Sequence, residues 1–242
     1  MRPSSGEISP DITAILPVYR CRETLAPLAA RLLRVFEAER LRSEILFVDD
    51  ACPEGSGDVL RAVAQSHPEV VVVSLEENRG QHRAVLAGLR HARGKVIAVL
   101  DADLQDPPEA LPLLLAELRR GNAAVFAGRR GRYESLPRLA TSRLFKTLLS
   151  RISGVPADAG MFFVMTQEMA AFLLSCEEAH PFVVAMIGAS GLPVSSIPVE
   201  RLLREGRRSS YTSWMRLEAG GRALVGSLFS KRRRGTRPET SA

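Results

Sequence analysis

The chain has 242 residues, of which 45% are hydrophobic and 25% are charged. This balance fits one large globular domain, or two small ones, and excludes bulk disorder or a fibrous repeat. The net charge of +6 is uneven, because residues 1–200 hold 22 basic and 24 acidic side chains whereas residues 201–242 hold 11 basic and 3 acidic ones. The near-neutral body argues against a general nucleic-acid binder, which needs a basic face on the folded domain.

The first two thirds of the chain alternate between short β-branched runs and longer stretches of helical period. Strands are predicted over 12–16, 45–48, 70–75, 96–100 and 123–127, and helices over 24–40, 59–65, 81–91 and 108–119. Further along, the pattern predicts strands over 160–165 and 194–199, a helix over 167–174 and an amphipathic helix over 211–229. This alternation is typical of an α/β fold with an open, mostly parallel sheet and helices on both faces. We expect a flexible N-terminus (1–10), a single domain (11–230) and a disordered basic tail (231–242).

The cellular setting follows from cysteines and hydropathy. The three scattered cysteines show no CxxC spacing, which indicates a reducing compartment and argues against a zinc site. The N-terminus lacks the apolar core of a signal peptide, and no run approaches the roughly 20 apolar residues of a spanning helix. We therefore expect a cytoplasmic protein, either soluble or held peripherally at the inner face of the membrane.

Polar residues follow three of the predicted strands, and ligands in such sheets bind beyond the carboxyl ends of the strands. The most informative run is Asp101-Ala-Asp103-Leu-Gln105-Asp106-Pro-Pro. Two carboxylates leaving a buried strand are costly without a counter-charge, and Mg²⁺ or Mn²⁺ bridging to a diphosphate would supply one. The alternative is a turn in which Asp and Pro only stop the strand.

Six segments occur along residues 11–230 in a definite order and spacing: ILPVYRCRETL (15–25), FVDDACPEGSGDVL (47–60), ENRGQHRAVLAGLRHARG (77–94), VLDADLQDPPE (99–109), DAGMFFVM (158–165) and RRSSY (207–211). Together they resemble family 2 glycosyltransferases of the GT-A fold, especially polyprenyl-phosphate sugar synthases related to dolichyl-phosphate mannose synthase. The resemblance implies a Rossmann-like GT-A domain, a nucleotide-sugar donor and a divalent metal, Mg²⁺ or Mn²⁺.

The resemblance also implies roles on the donor side. It implies a nucleotide pocket formed by Pro17, Tyr19, Glu23, Asp50 and Asp101. It implies that Asp101 and Asp103 hold the metal on the diphosphate, and that Gln105 lies beside them toward the sugar.

On the acceptor side, a phosphate is already anionic and needs cations and alignment more than a strong base. Asp158 is the carboxylate near the expected acceptor motif; it orients the acceptor, acts as a base, or only starts the turn PADAG. A basic segment resembles the one that closes over the diphosphate or lipid phosphate, and it includes Arg204, Arg207, Arg208, Ser209 and Tyr211. Arg129 and Arg130 follow the predicted fifth strand. The alternative for each basic group is a solvated surface loop.

The chain departs from the family pattern at several points. Arg20-Cys21 replaces the usual Asn-Glu, Ala51-Cys52 replaces Gly-Ser, Phe163 stands where the family has an arginine, and RRSSY lacks a glycine. If that arginine normally contacts a phosphate, another cation must substitute, and Arg129, Arg130 and Arg132 are the candidates from sequence. These departures bear on the identity of the acceptor more than on the chemistry of the donor.

Three interpretations remain. The leading one is an inverting, metal-dependent glycosyltransferase with a polyprenyl-phosphate or other lipid-linked acceptor. One alternative is a glycosyltransferase acting on a soluble hydroxyl acceptor, such as a glycan or natural-product aglycone. The other is a nucleotide-sugar-binding protein without turnover.

The basic residues Lys231–Arg234 follow the amphipathic stretch and predict contact with an anionic membrane surface, unless the tail is only solubilising. No nucleic-acid partner is expected.

Overall fold

Seven strands form one mixed sheet in the computed structural model, which describes residues 9–130, 154–176 and 178–201, with side chains in the first range described to residue 128. The strands are β1 (Ile12–Val18), β2 (Ser43–Asp49), β3 (Val70–Ser74), β4 (Val96–Val99), β5 (Ala124–Arg130), β6 (Phe163–Thr166) and β7 (Val194–Glu200). The helices are α1 (Leu25–Ala38), α2 (Ser56–Ser66), α3 (Gln81–His91), α4 (Leu111–Leu118), α5 (Gln167–Ser175) and α6 (Val183–Ala189).

The strand order is β3-β2-β1-β4-β6-β5-β7. β1 pairs in parallel with β2 and β4, β2 with β3, and β5 with β7, whereas β6 is antiparallel to both of its neighbours. The expected open, mostly parallel sheet is confirmed. The carboxyl ends of the parallel strands and the amino end of β6 therefore lie along one side of the sheet, called here the carboxyl edge; the opposite side is the amino edge.

Two apolar clusters cover the two faces of the sheet. Successive strand side chains point to opposite faces, so Ala14 and Leu16 of β1 join the cluster under α1 and α4, while Ile15 joins the cluster under α3 and α5. The placement of helices on both faces is confirmed. No helix among the residues that the structure describes is long and apolar enough to cross a membrane.

Ion pairs tie the strands together at the amino edge. Asp11 accepts hydrogen bonds from Arg42 Nη2 and Lys95 Nζ, each at 2.9 Å, and these bonds hold the pKa of Asp11 well below its usual range. The buried Glu44 carboxylate accepts from Thr13 Oγ1 at 2.8 Å and from Arg93 Nε at 2.7 Å. These contacts join β1, β2 and the segment before β4.

The structure corrects three details of the sequence prediction. Arg129 and Arg130 do not follow the fifth strand but end it, where Arg129 pairs with Val199 and Arg130 with Glu200 of β7. Helix α6 was not predicted, because the run Val183–Ala189 has no polar face and becomes helical where Val183, Met186 and Ile187 pack into the core. The strand predicted over 160–165 begins only at Phe163. The helix predicted over 211–229 and the basic tail lie outside the described residues.

Candidate active site at the carboxyl edge

Sharp backbone turns follow β1, β2 and β4 at the carboxyl edge. Arg20, Ala51 and Leu104 adopt positive φ angles of 55°, 50° and 63°, a left-handed conformation that is strained for residues other than glycine. Such strain is concentrated at binding and active sites. Ala51 occupies the position where the family resemblance leads one to expect glycine.

The buried Asp50 carboxylate fixes the chain entering α3. Its Oδ1 accepts the Arg79 N–H at 2.7 Å and its Oδ2 accepts the Gly80 N–H at 2.8 Å. Gly80, with a φ of 83°, directly precedes the first residue of α3. Both carboxylate oxygens are thus engaged by backbone donors, and contact with the base or ribose stays a prediction for Asp50.

Cys52 links the turns after β1 and β2. Asp49 Oδ1 accepts the Cys52 N–H at 3.0 Å, while Cys52 Sγ accepts from the Arg20 N–H at 3.2 Å and from Ser56 Oγ at 3.1 Å. The residue that departs from the family pattern therefore has a structural part here.

The remaining residues predicted for the nucleotide pocket lie along or just beyond β1. Pro17 is half-buried within the strand, and Glu23 is exposed in the 3-10 turn Arg22–Thr24. The Tyr19 side chain is 43% exposed, and the Arg20 guanidinium lies 5.3 Å from its ring centroid. Tyr19 therefore presents an accessible aromatic surface beside the turn, and its nucleotide contact stays a prediction.

The loop after β4 carries the carboxylates predicted to bind metal. Asp106 Oδ2 accepts the Asp101 N–H at 3.2 Å, which closes the loop, and Asp103 Oδ1 accepts the Gln105 N–H at 3.1 Å. Gln81, the first residue of α3, donates from Nε2 to Asp101 Oδ1. The loop is therefore ordered by its own side chains and tied to the helix that Asp50 holds.

Arg201, which sequence reasoning missed, brings a half-buried cation to this loop. Its Nε donates to Asp106 Oδ1 at 2.6 Å, and its Nη2 lies 3.4 Å from Asp101 Oδ2. Burial alone would lower the pKa of Arg201, but the Asp106 and Asp101 carboxylates outweigh it and raise that pKa. Because Asp106 is only 2% exposed, it needs such a counter-charge. The available signal was its position as the first basic residue after the predicted strand 194–199.

The carboxylate oxygen atoms of this loop suit a hard divalent cation whose remaining ligands come from a diphosphate. Asp101 and Asp103 supply carboxylate oxygen atoms from one loop, and Mg²⁺ or Mn²⁺ commonly takes one or two carboxylates with phosphate oxygens completing its shell. The Arg201 guanidinium beside Asp101 shows that a positive charge is already accommodated there. Within the described ranges, no group of three or more His, Cys, Asp or Glu could hold a metal ion alone.

Asp158 lies farther along the carboxyl edge, beside β5 and β7. It is exposed in a turn closed by the Ala159 N–H on the Pro156 carbonyl at 3.0 Å, and its Oδ1 accepts from Ser196 Oγ at 2.8 Å. A Cβ atom at Gly128 would collide with its Oδ2. The structure therefore supports the turn interpretation, while a role as base or acceptor-orienting group stays a prediction.

Phe163 fills the place of the family's arginine with a core side chain. It is fully buried, and its ring centroid lies 5.3 Å from that of Phe126. It offers no charge to a phosphate, and among the described residues Arg201 brings a guanidinium to the carboxylate loop instead. The side chains of Arg129 and Arg130, as well as Arg132, Arg204, Arg207, Ser209 and Tyr211, lie outside what the structure describes.

His82, at the second position of α3, packs against a neighbouring aromatic ring. Its ring meets Phe182 edge-on at a centroid distance of 4.7 Å. Burial lowers its pKa to about 4, and its buried Nδ1 has no hydrogen-bond partner within the described part of the chain. This environment is that of a packing residue.

With this arrangement established, the class of protein follows from comparison. A model of the glycosyl transferase family 2 matches residues 13–174, so the chain belongs to that family. Undecaprenyl-phosphate 4-deoxy-4-formamido-L-arabinose transferase from Edwardsiella ictaluri is 32% identical over 203 residues, covering 83% of this chain and 62% of the relative. The enzyme of that name from Salmonella choleraesuis is 32% identical over 209 residues, covering 85% and 64%. The chain thus spans less than two thirds of the length of these curated relatives.

Solved structures show the same fold. A mannosyltransferase from Pyrobaculum calidifontis, in complex with GDP-Man and Mn²⁺, matches with a TM-score of 0.67 and 21% identity, covering 96% of this chain and 66% of that one. Glucosyl-3-phosphoglycerate synthase from Mycobacterium tuberculosis, with Mn²⁺, UDP-Glc and phosphoglyceric acid, matches with a TM-score of 0.66 and 17% identity, covering 95% and 81%. The expected GT-A fold is confirmed.

Proposed function

We propose that this protein is an inverting, metal-dependent glycosyltransferase that moves a sugar from a nucleotide-sugar donor to polyprenyl phosphate or another lipid-linked acceptor. The observation that carries the proposal is the loop of Asp101, Asp103 and Gln105, held at the carboxyl edge by Asp106 in a family 2 chain. The curated relatives are undecaprenyl-phosphate sugar transferases by name, and the two solved neighbours contain Mn²⁺ with a nucleotide sugar.

On the donor side, Asp101 and Asp103 would hold Mg²⁺ or Mn²⁺ against the diphosphate. Such an ion neutralises the charge that develops as the nucleoside diphosphate leaves. Gln105 lies beside these carboxylates and would face the sugar, while Pro17, Tyr19 and Glu23 would line the nucleotide pocket. Asp50 supports the pocket through its two backbone hydrogen bonds.

On the acceptor side, a polyprenyl phosphate brings its own negatively charged nucleophile, so alignment and cations matter more than a strong base. Its phosphate would be bound by Arg129, Arg130, Arg204, Arg207, Ser209 and Tyr211, and Asp158 would orient it.

The basic Lys231–Arg234 segment would contact an anionic membrane, adding roughly 3–4 kcal/mol of binding free energy at about 1 kcal/mol per basic residue. Removal of residues 231–242 should therefore weaken binding to anionic liposomes, and equal binding would exclude this anchor.

The decisive experiment is a transfer assay with radiolabelled nucleotide sugars, Mg²⁺ or Mn²⁺, and either undecaprenyl phosphate or soluble glycans. We expect label to pass into organic solvent with the lipid acceptor. Label on the soluble glycans would replace this proposal by the hydroxyl-acceptor interpretation, and no donor consumption with any acceptor would favour binding without turnover.

The matched variants are Asp103→Ala, which should abolish turnover and metal-dependent nucleotide binding, and Asp58→Ala. Asp58 is an exposed carboxylate on α2 paired with Arg61, and its loss should leave turnover unchanged. Full turnover in Asp103→Ala would remove the metal assignment.

A further inference from the structure

A positively charged side chain from the end of β7 contacts the loop of Asp101, Asp103 and Asp106 where a metal ion is proposed to bind. The Arg201 guanidinium is 2.6 Å from Asp106 Oδ1 and 3.4 Å from Asp101 Oδ2. We propose that Arg201 makes binding of the divalent cation depend on the donor diphosphate, because it competes with the cation for Asp101 until the diphosphate arrives. The inference deepens the proposed function and rests on its assignment of Asp101 as a metal ligand.

The contacts of Arg201 with Asp106 and with Asp101 differ in length. The shorter one is to Asp106, which is 2% exposed and needs a permanent counter-charge. The longer one is to Asp101, which is 23% exposed and also accepts from Gln81. A divalent cation can therefore displace Arg201 from Asp101 while the guanidinium keeps its primary partner, Asp106.

The electrostatic consequence has a definite sign. A cation bound at Asp101 and Asp103 without a diphosphate meets the positive charge of Arg201 nearby, which weakens its binding. A diphosphate adds negative charge that attracts both the metal ion and the guanidinium. Each ligand then strengthens binding of the other, which is a positive coupling between cation and diphosphate.

Arg201→Met tests this coupling. Mn²⁺ affinity is measured for the protein alone, from the electron paramagnetic resonance signal of free Mn²⁺, and UDP and GDP affinities are measured by calorimetry with and without Mn²⁺. We expect Arg201→Met to bind Mn²⁺ alone about tenfold more tightly than wild type, equivalent to about 1.4 kcal/mol. The factor by which Mn²⁺ strengthens nucleotide binding should fall by a similar amount.

Arg93→Met is the matched control. Arg93 pairs at 2.7 Å with Glu44, a carboxylate that is 3% exposed at the amino edge, so this variant also deprives a buried acid of its arginine. It should leave Mn²⁺ affinity and the coupling factor unchanged. An equal response in both variants would mean general destabilisation and would overturn the proposal.

If Arg201→Met does not fold, the double variant Arg201→Met/Asp106→Asn removes both charges of the buried pair and keeps an acceptor for the Asp101 N–H. We expect it to bind Mn²⁺ at least twofold more tightly than wild type. Unchanged or weaker Mn²⁺ binding without nucleotide, or no Mn²⁺ binding by any of the proteins, would overturn the role of Arg201. These measurements need no acceptor and no turnover, so they decide the question even if the transfer assay contradicts the proposed function.

Discussion

Asp50→Asn separates a structural from a ligand-binding role for a residue that sequence reasoning placed in the nucleotide pocket. The substitution keeps the size of the side chain but leaves one acceptor oxygen and puts an amino group against a backbone N–H. Wild-type Asp50 is 2% exposed and accepts the Arg79 and Gly80 N–H groups at 2.7 and 2.8 Å. Hydrogen bonds to charged groups contribute about 1.5–3 kcal/mol each, and an unsatisfied buried donor costs a further 1–3 kcal/mol.

With one of the two bonds retained, we expect the free energy of unfolding to fall by about 2–4 kcal/mol. Urea denaturation would show this as a lower midpoint with an unchanged slope. Asp58→Asn, an exposed carboxylate on α2, is the control and should change the free energy by under about 0.5 kcal/mol. If Asp50→Asn were as stable as wild type but bound nucleotide poorly, the carboxylate would serve the ligand rather than the turn, and our reasoning would be refuted.

Three further predictions concern stability. The pKa of His82 is about 4 in the fold and about 6.5 in an unfolded chain, so its contribution is complete above about pH 6.5 and is lost as the pH falls toward 4. Urea denaturation at pH 7 and pH 4.5 should show a loss of about 2–3 kcal/mol from this residue, absent in His82→Phe; identical losses in both proteins would contradict the assignment. Gly94→Ala would bring a Cβ to 2.6 Å from the Ile12 carbonyl carbon and should destabilise the protein by over about 3 kcal/mol. Gly57→Ala in α2, where the nearest atom would be 3.5 Å from the new Cβ, should be neutral or stabilising by up to about 1 kcal/mol. Similar thermal midpoints for the two variants would be inconsistent with the close approach at Gly94. Phe163→Arg, which restores the family's residue, should unfold the protein at lower urea because it buries a charge, and wild-type stability would show that the side chain can reach the edge.

The parts of the fold that the sequence predicted are those governed by local periodicity. Helix α3 was predicted with the bounds that the structure has, Gln81–His91, because its apolar residues recur at helical spacing. The meeting of the candidate site residues at one edge was also predictable, since parallel strands bring their carboxyl ends together there.

What the sequence could not predict depends on long-range packing. Arg201 meets Asp106 across 95 residues of chain, and no local pattern marks such a pair. Asp50 likewise accepts hydrogen bonds from residues 29 and 30 positions away, so the family resemblance did not predict its structural role. Helix α6 lacks a polar face, and burial rather than periodicity makes it helical. The roles assigned to acceptor-side residues stay predictions.

Both edges of the sheet combine paired acids with left-handed backbone. At the amino edge, Asp11 and Glu44 gather cations around strand ends, and Arg40 precedes β2 with a φ of 54°. At the carboxyl edge, Arg201 pairs with Asp106, and Arg20, Ala51 and Leu104 hold left-handed backbone. Segments that open most readily are those with the least local stability. Amide hydrogen exchange at the residues of these two sets would therefore show which edge opens first.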